Sequence, residues 1–374
     1  MNILINASNL HAGGGVQVAA SFINELTDVN LNPHFFHILV SSAVDQNLNS
    51  INFDKTNFKS YKVYDSRGLV KSIFHLHEKL RGFDIVFSVF GAIYVFPRLK
   101  FHIVGFADPW IAYPKNEIYQ EYSIKNKFFV TLKTLVKKYF FSRYNHLIVE
   151  LPHVKEALSN NILLSNQKIS VVSNAISSFY FKPKEWKPID INLKLNSNIV
   201  LGYLGRAYDH KNLKILIDVD EILRKQYNLM CNFIFTLTKD EMELHQFSDR
   251  DNFISVGALN VNQCPSFYQK IDALIFPSLL ECFSITPLEA MIMKKPVIAS
   301  DRAFIRDVCL DNAYYFDPMD SKNIASVINQ YFLNKTNNIS MIERAYEYSM
   351  SFSSAKNRAE KYLEVIKNNT SPMS

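Results

Sequence analysis

The chain has 374 residues, of which 48% are hydrophobic and 20% charged, a composition typical of soluble globular proteins and a length that accommodates two domains. Its four cysteines form no CxxC pair and have no histidine at ligand spacing, which argues against a structural zinc site or a disulfide framework. The N-terminus lacks the pattern of a cleaved signal peptide, and no apolar run reaches the roughly 18 residues of a spanning helix, so we expect a cytoplasmic protein.

The charge is unevenly distributed along the sequence. Residues 1–190 carry 21 Lys and Arg against 14 Asp and Glu, a net charge of +7, whereas the whole chain carries +6. A basic first half indicates anionic partners, such as phospholipid, polyphosphate or nucleic acid. Nucleic acid is the least favoured of these, because the sequence contains no recognisable nucleic-acid-binding module.

In the first half, short apolar runs alternate with helical patterns. The runs are NILINA (2–7), FFHILV (35–40), FDIVFSVF (83–90), FHIVGF (101–106), HLIVEL (146–151) and ISVVS (169–173). This alternation predicts βαβ units that build a parallel sheet covered by helices on both faces.

The second half repeats the alternation, and its runs are NIVLGYLG (198–205), CNFIFTL (231–237), NFISVG (252–257), DALIFP (272–277), PVIAS (296–300) and AYYFDP (313–318). We predict an α/β protein with two doubly wound, Rossmann-like domains, at residues 1–178 and 198–350, that face each other across a cleft. Residues 179–197, rich in Pro and Lys, are the predicted linker. A helix within 351–374 is predicted to pack back on the first domain. In such sheets, ligands bind beyond the carboxyl ends of the strands.

Three consecutive glycines, Gly13, Gly14 and Gly15, follow the first predicted strand and open a helix. Glycine lets a backbone approach a phosphate closely, and a helix N-terminus offers unpaired N–H groups. The spacing does not match a nicotinamide-dinucleotide fingerprint, because Val18 occupies the third glycine position. A tight strand-to-helix turn and a loop that faces an anion both remain open.

Two cations follow the first strand of the second half, in the segment YLGRAYDHKN (203–212). Arg206 offers a planar fork to phosphate oxygens, and Lys211 offers a mobile point charge. At the carboxyl end of a strand, the pair is suited to hold a diphosphate. The alternative is a solvated loop with ordinary surface charges.

Two carboxylates, Glu281 and Glu289, lie in the segment PSLLECFSITPLEAM (277–291). Thr286 and Glu289 fit a capping box, with Thr286 at the N-cap, Pro287 at the first helical position and Glu289 at the third. Capping does not account for Glu281, which precedes the predicted helix. An acid on each side of a helix N-terminus is suited to accept hydrogen bonds from sugar hydroxyls next to a bound anion.

The sequence predicts no metal site. Two DxD patterns, at 218–220 and 249–251, could indicate a metal-dependent transferase. The first lies in a helical pattern, where residues two apart do not share a face, and the second lies in a polar loop. We expect both to be solvated surface.

The segment KNKFFVTLKTLVKKYFFSRYNH (125–146) is basic and amphipathic. Its apolar residues at helical spacing are Phe128, Leu132, Leu135, Val136, Tyr139 and Phe140. One interpretation is a helix whose apolar stripe packs on the first sheet. The other is a helix on a membrane surface that presents its lysines to anionic lipid.

Taken in order, GGG, GR-(x4)-K, E-(x7)-E and PVIAS resemble the GT-B glycosyltransferases of family 4, and the resemblance covers nearly the whole chain. It implies a retaining transferase that takes a nucleotide-diphosphate sugar, such as a UDP- or GDP-sugar, without a metal or other cofactor. The acceptor would be a glycan of bacterial surface polysaccharide, for example a lipid-linked one at the inner face of the cytoplasmic membrane. O-antigen (lipopolysaccharide) and capsule are the expected products.

The resemblance also implies residue roles. Arg206 and Lys211 would hold the donor diphosphate, Glu281 would bind hydroxyls of the donated sugar as a catalytic residue, and Glu289 would bind the ribose. Asp108 would orient or deprotonate the acceptor hydroxyl, with a turn cap before Pro109 as the structural alternative. Further donor contacts are implied for Gly13, Gly14, Gly15, Ser284, Ile285 and Thr286, and contacts to the base for Gly257, Ala258 and Leu259.

The chain departs from the family pattern at three positions. Cys282 and Ser284 stand where the family has glycines, and Ala107 stands where many members have a histidine before the aspartate. These departures keep two alternatives open: a non-catalytic scaffold subunit that binds a nucleotide sugar, and a sugar-nucleotide epimerase of the same fold.

Overall fold

The computed structural model describes residues 2–27, 35–67, 75–191, 199–334 and 338–369, and the chain divides into two compact units. Unit 1 comprises residues 1–177 and 353–374, and unit 2 comprises residues 178–352. The predicted linker therefore differs from this division: residues 179–191 belong to unit 2, and residues 192–197 lie outside the described residues. Trp186 helps to fold this segment, because its indole N–H donates to the Phe179 carbonyl at 2.7 Å.

Unit 1 contains a parallel sheet with seven strands in its described residues. They are β1 (Ile3–Ala7), β2 (Phe36–Val40), β3 (Ser60–Val63), β4 (Ile85–Ser88), β5 (His102–Gly105), β6 (His146–Val149) and β7 (Lys168–Val171). The strand order is β3-β2-β1-β4-β5-β6-β7, so the direction of winding reverses at β1. Ile3 pairs with Phe36 on one side and with Ile85 on the other.

Unit 2 contains a second parallel sheet, with six strands in its described residues. They are β8 (Ile199–Tyr203), β9 (Cys231–Phe235), β10 (Phe253–Ser255), β11 (Ala273–Phe276), β12 (Val297–Ser300) and β13 (Tyr314–Phe316). The order β10-β9-β8-β11-β12-β13 places the reversal between β8 and β11. Ala273 pairs with Leu201 there, so the carboxyl ends of β8 and β11 lie side by side.

All twelve predicted strands are confirmed, because parallel strands covered on both faces give nearly continuous apolar sequence. The sequence does not predict β3. Its residues SYKV lie at the edge of the sheet and are half-buried or exposed, so no apolar run marks them.

Helices connect the strands in both units. They are α1 (Gly14–Glu25), α2 (Ser42–Ser50), α3 (His77–Leu80), α4 (Pro109–Ala112), α5 (Glu117–Glu121), α6 (Ile124–Phe141), α7 (Pro152–Ser159), α8 (Ile215–Tyr227), α9 (Lys239–Leu244), α10 (Cys264–Gln269), α11 (Thr286–Ile292), α12 (Ala303–Cys309), α13 (Ser321–Leu333), α14 (Asn338–Ser351) and α15 (Ala355–Lys367). None of these described helices is both long and apolar enough to cross a bilayer.

The last helix, α15, belongs to unit 1. Tyr362 lies in the unit 1 core, with its ring centroid 5.1 Å from those of Phe22 and Phe87. Arg358 is 1% exposed, and its guanidinium donates to Asn174 Oδ1 at 2.6 Å and to Ser21 Oγ at 2.9 Å. These contacts fix α15 to the N-terminal part of unit 1.

We expect Arg358→Ala to destabilise the protein by about 3 kcal/mol, because it leaves buried polar groups unpaired and opens a cavity. Lys361→Ala, on the exposed face of the same helix, is the control and should cost less than about 0.5 kcal/mol. Urea denaturation of both variants measures the difference. Equal midpoints for the two variants would contradict an anchoring role for Arg358.

Candidate functional site

The predicted donor-binding side chains of unit 2 gather where its sheet reverses. The loop after β8 carries Arg206 and Lys211, and the loop after β11 carries Glu281. A backbone hydrogen bond from Leu279 N to His210 O, 2.8 Å long, joins the two loops. Such reversal points in open α/β sheets are common ligand sites.

Lys211 and Glu281 contact each other directly, through a hydrogen-bonded ion pair between Lys211 Nζ and Glu281 Oε1. Their side chains are only 14% and 10% exposed, and Lys211 Nζ lies 5.6 Å from the ring centroid of Phe276 at the end of β11. The sequence assigns these residues to different parts of a donor and gives no sign that they pair. The ion pair holds the Lys211 ammonium and the Glu281 carboxylate next to each other in the site.

Arg206 is held by Glu241, an acid that no sequence motif connects to it. Its Nε donates to Glu241 Oε1 at 2.8 Å, and the amide of Ala207 donates to the same oxygen at 3.1 Å. Glu241 also completes a capping box with Thr238 at the start of α9. The signal T-x-x-E at 238–241 is present in the sequence, but it predicts only the cap.

Glu241 remains ionised in this setting. Burial alone would raise its pKa, but hydrogen bonds from the amides of Thr238 and Ala207 and from Arg206 outweigh burial and lower the pKa below its usual value. The backbone before Arg206 is fixed by Gly205, whose φ of 153° suits glycine and whose added Cβ would lie 2.9 Å from the Tyr203 hydroxyl. Glu241 therefore holds the Arg206 side chain, and Gly205 fixes the backbone that precedes it.

Glu289 is 4% exposed and points into unit 2. The Tyr268 hydroxyl donates to its Oε2 at 3.1 Å and lies at the same distance from the Thr286 carbonyl. Burial raises the pKa of Glu289 to about 7, and the nearby Tyr180 and Tyr268 hydroxyls limit that rise. Glu289 is thus an acid whose charge changes near neutral pH.

The predicted capping box at Thr286 and Glu289 is wrong. α11 begins at Thr286, Ile285 occupies the N-cap, and no side chain caps the helix. Glu289 N instead donates to Ile285 O at 3.0 Å, while its carboxyl turns to Tyr268. The Ser284 and Thr286 hydroxyls lie 3.0 Å apart and bond to each other.

The predicted base region follows β10. Gly257 has a φ of 73°, and its amide donates to Ser255 Oγ at 3.0 Å. Ala258 is exposed, and Leu259 is half-buried. A Cβ added to Gly257 would meet nothing within 4 Å, so its requirement for glycine comes from the backbone angle.

The remaining predicted residues belong to unit 1. Gly13 has a φ of 73° and is the N-cap of α1, while Gly14 and Gly15 form its first turn. The Asp108 side chain does not cap α4; its Oδ2 instead accepts from Lys137 Nζ of α6 at 2.5 Å. Asp108 Oδ1 is buried and has no hydrogen-bond partner among the described residues.

No group of three or more potential metal ligands occurs within the described residues. The expectation that the first DxD pattern is solvated is wrong for Asp220, which is 2% exposed. It accepts hydrogen bonds from Arg224 and Asn252. Asp218, two residues earlier, is exposed on another face of α8.

The chain is similar to several known proteins. Residues 185–348 match the sequence model of the family described as glycosyl transferases group 1. The O-antigen chain mannosyltransferase RfbU of Salmonella typhimurium is 28% identical over 190 residues, which are 50% of this chain and 50% of that protein. The capsular polysaccharide biosynthesis glycosyltransferase CapM of Staphylococcus aureus is 28% identical over 191 residues, 47% of this chain and 50% of that protein.

The chain thus spans about half of the length of these curated relatives. Among solved structures, Anabaena HepE in complex with UDP-glucose has a TM-score of 0.67 at 15% identity. The aligned region covers 98% of this chain and 99% of the HepE chain. Sucrose-phosphate synthase from Thermosynechococcus elongatus has a TM-score of 0.66 at 11% identity, with 98% of both chains covered. The protein therefore has the GT-B fold of two Rossmann-like domains, and its residues 185–348 are similar to the glycosyl transferases group 1 family.

Proposed function

We propose that this protein is a retaining glycosyltransferase that moves a sugar from a nucleotide-diphosphate sugar to a glycan acceptor in the synthesis of bacterial surface polysaccharide. One observation carries the proposal: Arg206 and the Lys211–Glu281 ion pair lie in the loops that follow β8 and β11, inside the segment that matches the transferase family. The names of the O-antigen and capsule relatives support the class of product.

The donor diphosphate is proposed to take the place of Glu281 at Lys211. A diphosphate offers oxygens to the Lys211 ammonium and to the Arg206 guanidinium, which Glu241 already orients. Glu281 is then released to accept hydrogen bonds from hydroxyls of the donated sugar. The ion pair holds both side chains close to these positions before the donor arrives, which reduces the ordering that binding requires.

The remaining donor contacts follow the same proposal. Glu289 accepts from the ribose hydroxyls, and the amides of Ser284, Ile285 and Thr286 meet the phosphate or sugar. Gly13–Gly15 remain proposed donor contacts. The loop at 257–259 holds the base. Uracil is the first base to test, with UDP as the ligand, because HepE was solved with UDP-glucose.

In the transfer step, the bond between the anomeric carbon and the diphosphate oxygen breaks, and its electron pair leaves on the diphosphate. The acceptor oxygen forms its bond to the same face of the sugar, and its proton passes to an oxygen of the departing diphosphate. Arg206 and Lys211 stabilise the negative charge on the leaving group, so the step needs no metal. The free Asp108 Oδ1 accepts a hydrogen bond from the acceptor hydroxyl and orients it.

A thermal-shift comparison tests the donor site. UDP or GDP at about 100 times its Kd should stabilise the protein by about 2.7 kcal/mol, and Arg206→Ala should remove most of that stabilisation. Lys225→Ala replaces an exposed cation on α8 and should retain the stabilisation by the nucleotide. CMP and NAD serve as negative controls.

Absence of a shift with either diphosphate would contradict the donor site. A shift without transfer, and without donor hydrolysis when acceptor is omitted, would instead favour a non-catalytic scaffold subunit. Interconversion of the donor sugar would indicate an epimerase. Lipid-linked glycans are the acceptors to try first, because the products named for the relatives are cell-surface polysaccharides.

A further inference from the structure

Helix α6 exposes large apolar side chains along most of its length. The exposed fractions are 88% for Ile124, 65% for Phe128, 56% for Phe129, 49% for Leu132, 51% for Leu135 and 51% for Tyr139. The interpretation in which this stripe packs on the sheet of unit 1 is therefore wrong. Of the stripe residues, only Phe140 is buried.

The helix is attached to unit 1 by its opposite face and its last turn. Phe141 packs on Phe106, with ring centroids 4.9 Å apart, and Phe140 packs on Tyr94 at 5.1 Å. Lys137 reaches inward to Asp108. At 100° per residue, Ile124, Phe128, Leu132, Leu135 and Tyr139 fall within an arc of about 80° that points away from Lys137.

The apolar surface continues beyond α6. The Arg143 guanidinium lies 5.1 Å from the ring centroid of Phe96 and 5.4 Å from that of Tyr139, and it donates to the Tyr139 hydroxyl. Phe96 is itself 51% exposed. The continuous patch is defined here as the docking face: Phe96, Ile124, Phe128, Phe129, Leu132, Leu135, Tyr139 and Arg143.

Positive charge surrounds the docking face. α6 has five lysines and no acidic residue. By helical position, Lys125 borders the apolar arc on one side, and Lys127 and Lys138 border it on the other. Lys133 lies farther round the helix, beside the exposed Phe129. A second copy of the chain is a poor occupant, because its lysines would face these lysines across a dry contact.

We propose that the docking face binds the surface of a bilayer that contains anionic lipid, with the apolar side chains at the acyl boundary and the lysines among the headgroups. α6 lies on the surface and does not span it. The inference concerns binding alone and stands without the transferase. Where the transferase proposal also holds, the same helix carries Lys137, the partner of Asp108, so a lipid-linked acceptor would reach unit 1 next to its candidate catalytic acid.

Vesicle flotation tests the proposal with the full chain. Vesicles of phosphatidylcholine with about 30% phosphatidylglycerol should bind the protein, and binding should fall with added salt and be at least tenfold weaker on pure phosphatidylcholine. Phe128→Ser with Leu135→Ser should weaken binding to the anionic vesicles at least tenfold. Lys125→Glu with Lys133→Glu should do the same.

Leu333→Ser, at a leucine that is 69% exposed on α13 of unit 2, is the matched control and should bind like the wild type. The substituted residues are exposed, so an unchanged Tm should accompany each variant. Wild-type binding by the Phe128 and Leu135 variant, or no binding of the wild type to either vesicle, would overturn the proposal. Sedimentation of the wild type as a dimer that the same variant dissociates would assign the face to a second copy instead.

Discussion

Replacing Lys211 by methionine is expected to lower the rate of sugar transfer by 10²- to 10³-fold, the usual loss when one group that stabilises a developing anion is removed. It should also destabilise the protein, because Glu281 is 10% exposed and would lose its only ion-pair partner among the described residues. Breaking a buried pair from one side costs about 3–5 kcal/mol. Transfer kinetics and urea denaturation measure the two effects.

The double variant Lys211→Met with Glu281→Gln separates the effect on the transfer rate from the effect on stability. Removing both charges should restore most of the stability, since no buried charge is left unpaired, but it should restore none of the activity. Lys225→Met, on the exposed face of α8, should leave both properties unchanged. Recovery of transfer in the double variant would show that Lys211 acts only by holding Glu281 and would refute a direct role at the diphosphate.

Glu289→Gln is expected to stabilise the ligand-free protein at alkaline pH. The carboxyl has a pKa of about 7 in the fold against 4.5 for an ordinary glutamate, so the folded state favours its protonated form. The resulting stability is fully present below about pH 4.5 and is lost as pH rises through about 7. At pH 8.5 the variant should therefore exceed the wild type by about 3 kcal/mol, with little difference at pH 4.5.

Glu241→Gln provides a control of opposite sign. The pKa of Glu241 is lowered, so its contribution to stability is present at neutral pH and is lost as pH falls through its folded value. This variant should be less stable than the wild type at pH 7 and should approach it in acid. Parallel stability curves for Glu289→Gln and the wild type between pH 4.5 and 8.5 would disprove the buried, titrating state of Glu289.

In the Glu289→Gln variant, binding of a UDP-sugar should weaken if Glu289 accepts hydrogen bonds from the ribose hydroxyls. The amide of glutamine offers one acceptor oxygen where the carboxylate offers two. Calorimetry at pH 8 separates this loss from the gain in stability. Unchanged affinity would remove Glu289 from the donor site without affecting the stability prediction.

Much of the fold follows from sequence because burial leaves a local trace. Strands such as Ile3–Ala7 and Val297–Ser300 are covered on both faces and appear as unbroken apolar runs. The edge strand Ser60–Val63 is covered less, so its sequence carries no such trace. The loops that carry Arg206, Lys211 and Glu281 could be placed at strand ends for the same reason.

The partners of these side chains could not be predicted. Lys211 and Glu281 are 70 residues apart, and Arg206 and Glu241 are 35 apart. Their contacts depend on which strands are neighbours in the sheet. Tyr268 likewise reaches Glu289 from another helix and draws it away from the predicted cap.

The sequence by itself determined the parallel α/β architecture, the two sets of cations and carboxylates, and the amphipathic character of α6, because each depends on residues close together in the chain. Only the tertiary structure decided which charges pair, which carboxyl is buried and titrates near neutral pH, and that the stripe of α6 faces outward. A helical period shows which side chains share a face, but it does not show what covers that face. Coverage and long-range pairing are set by which strands and helices are neighbours in the folded protein.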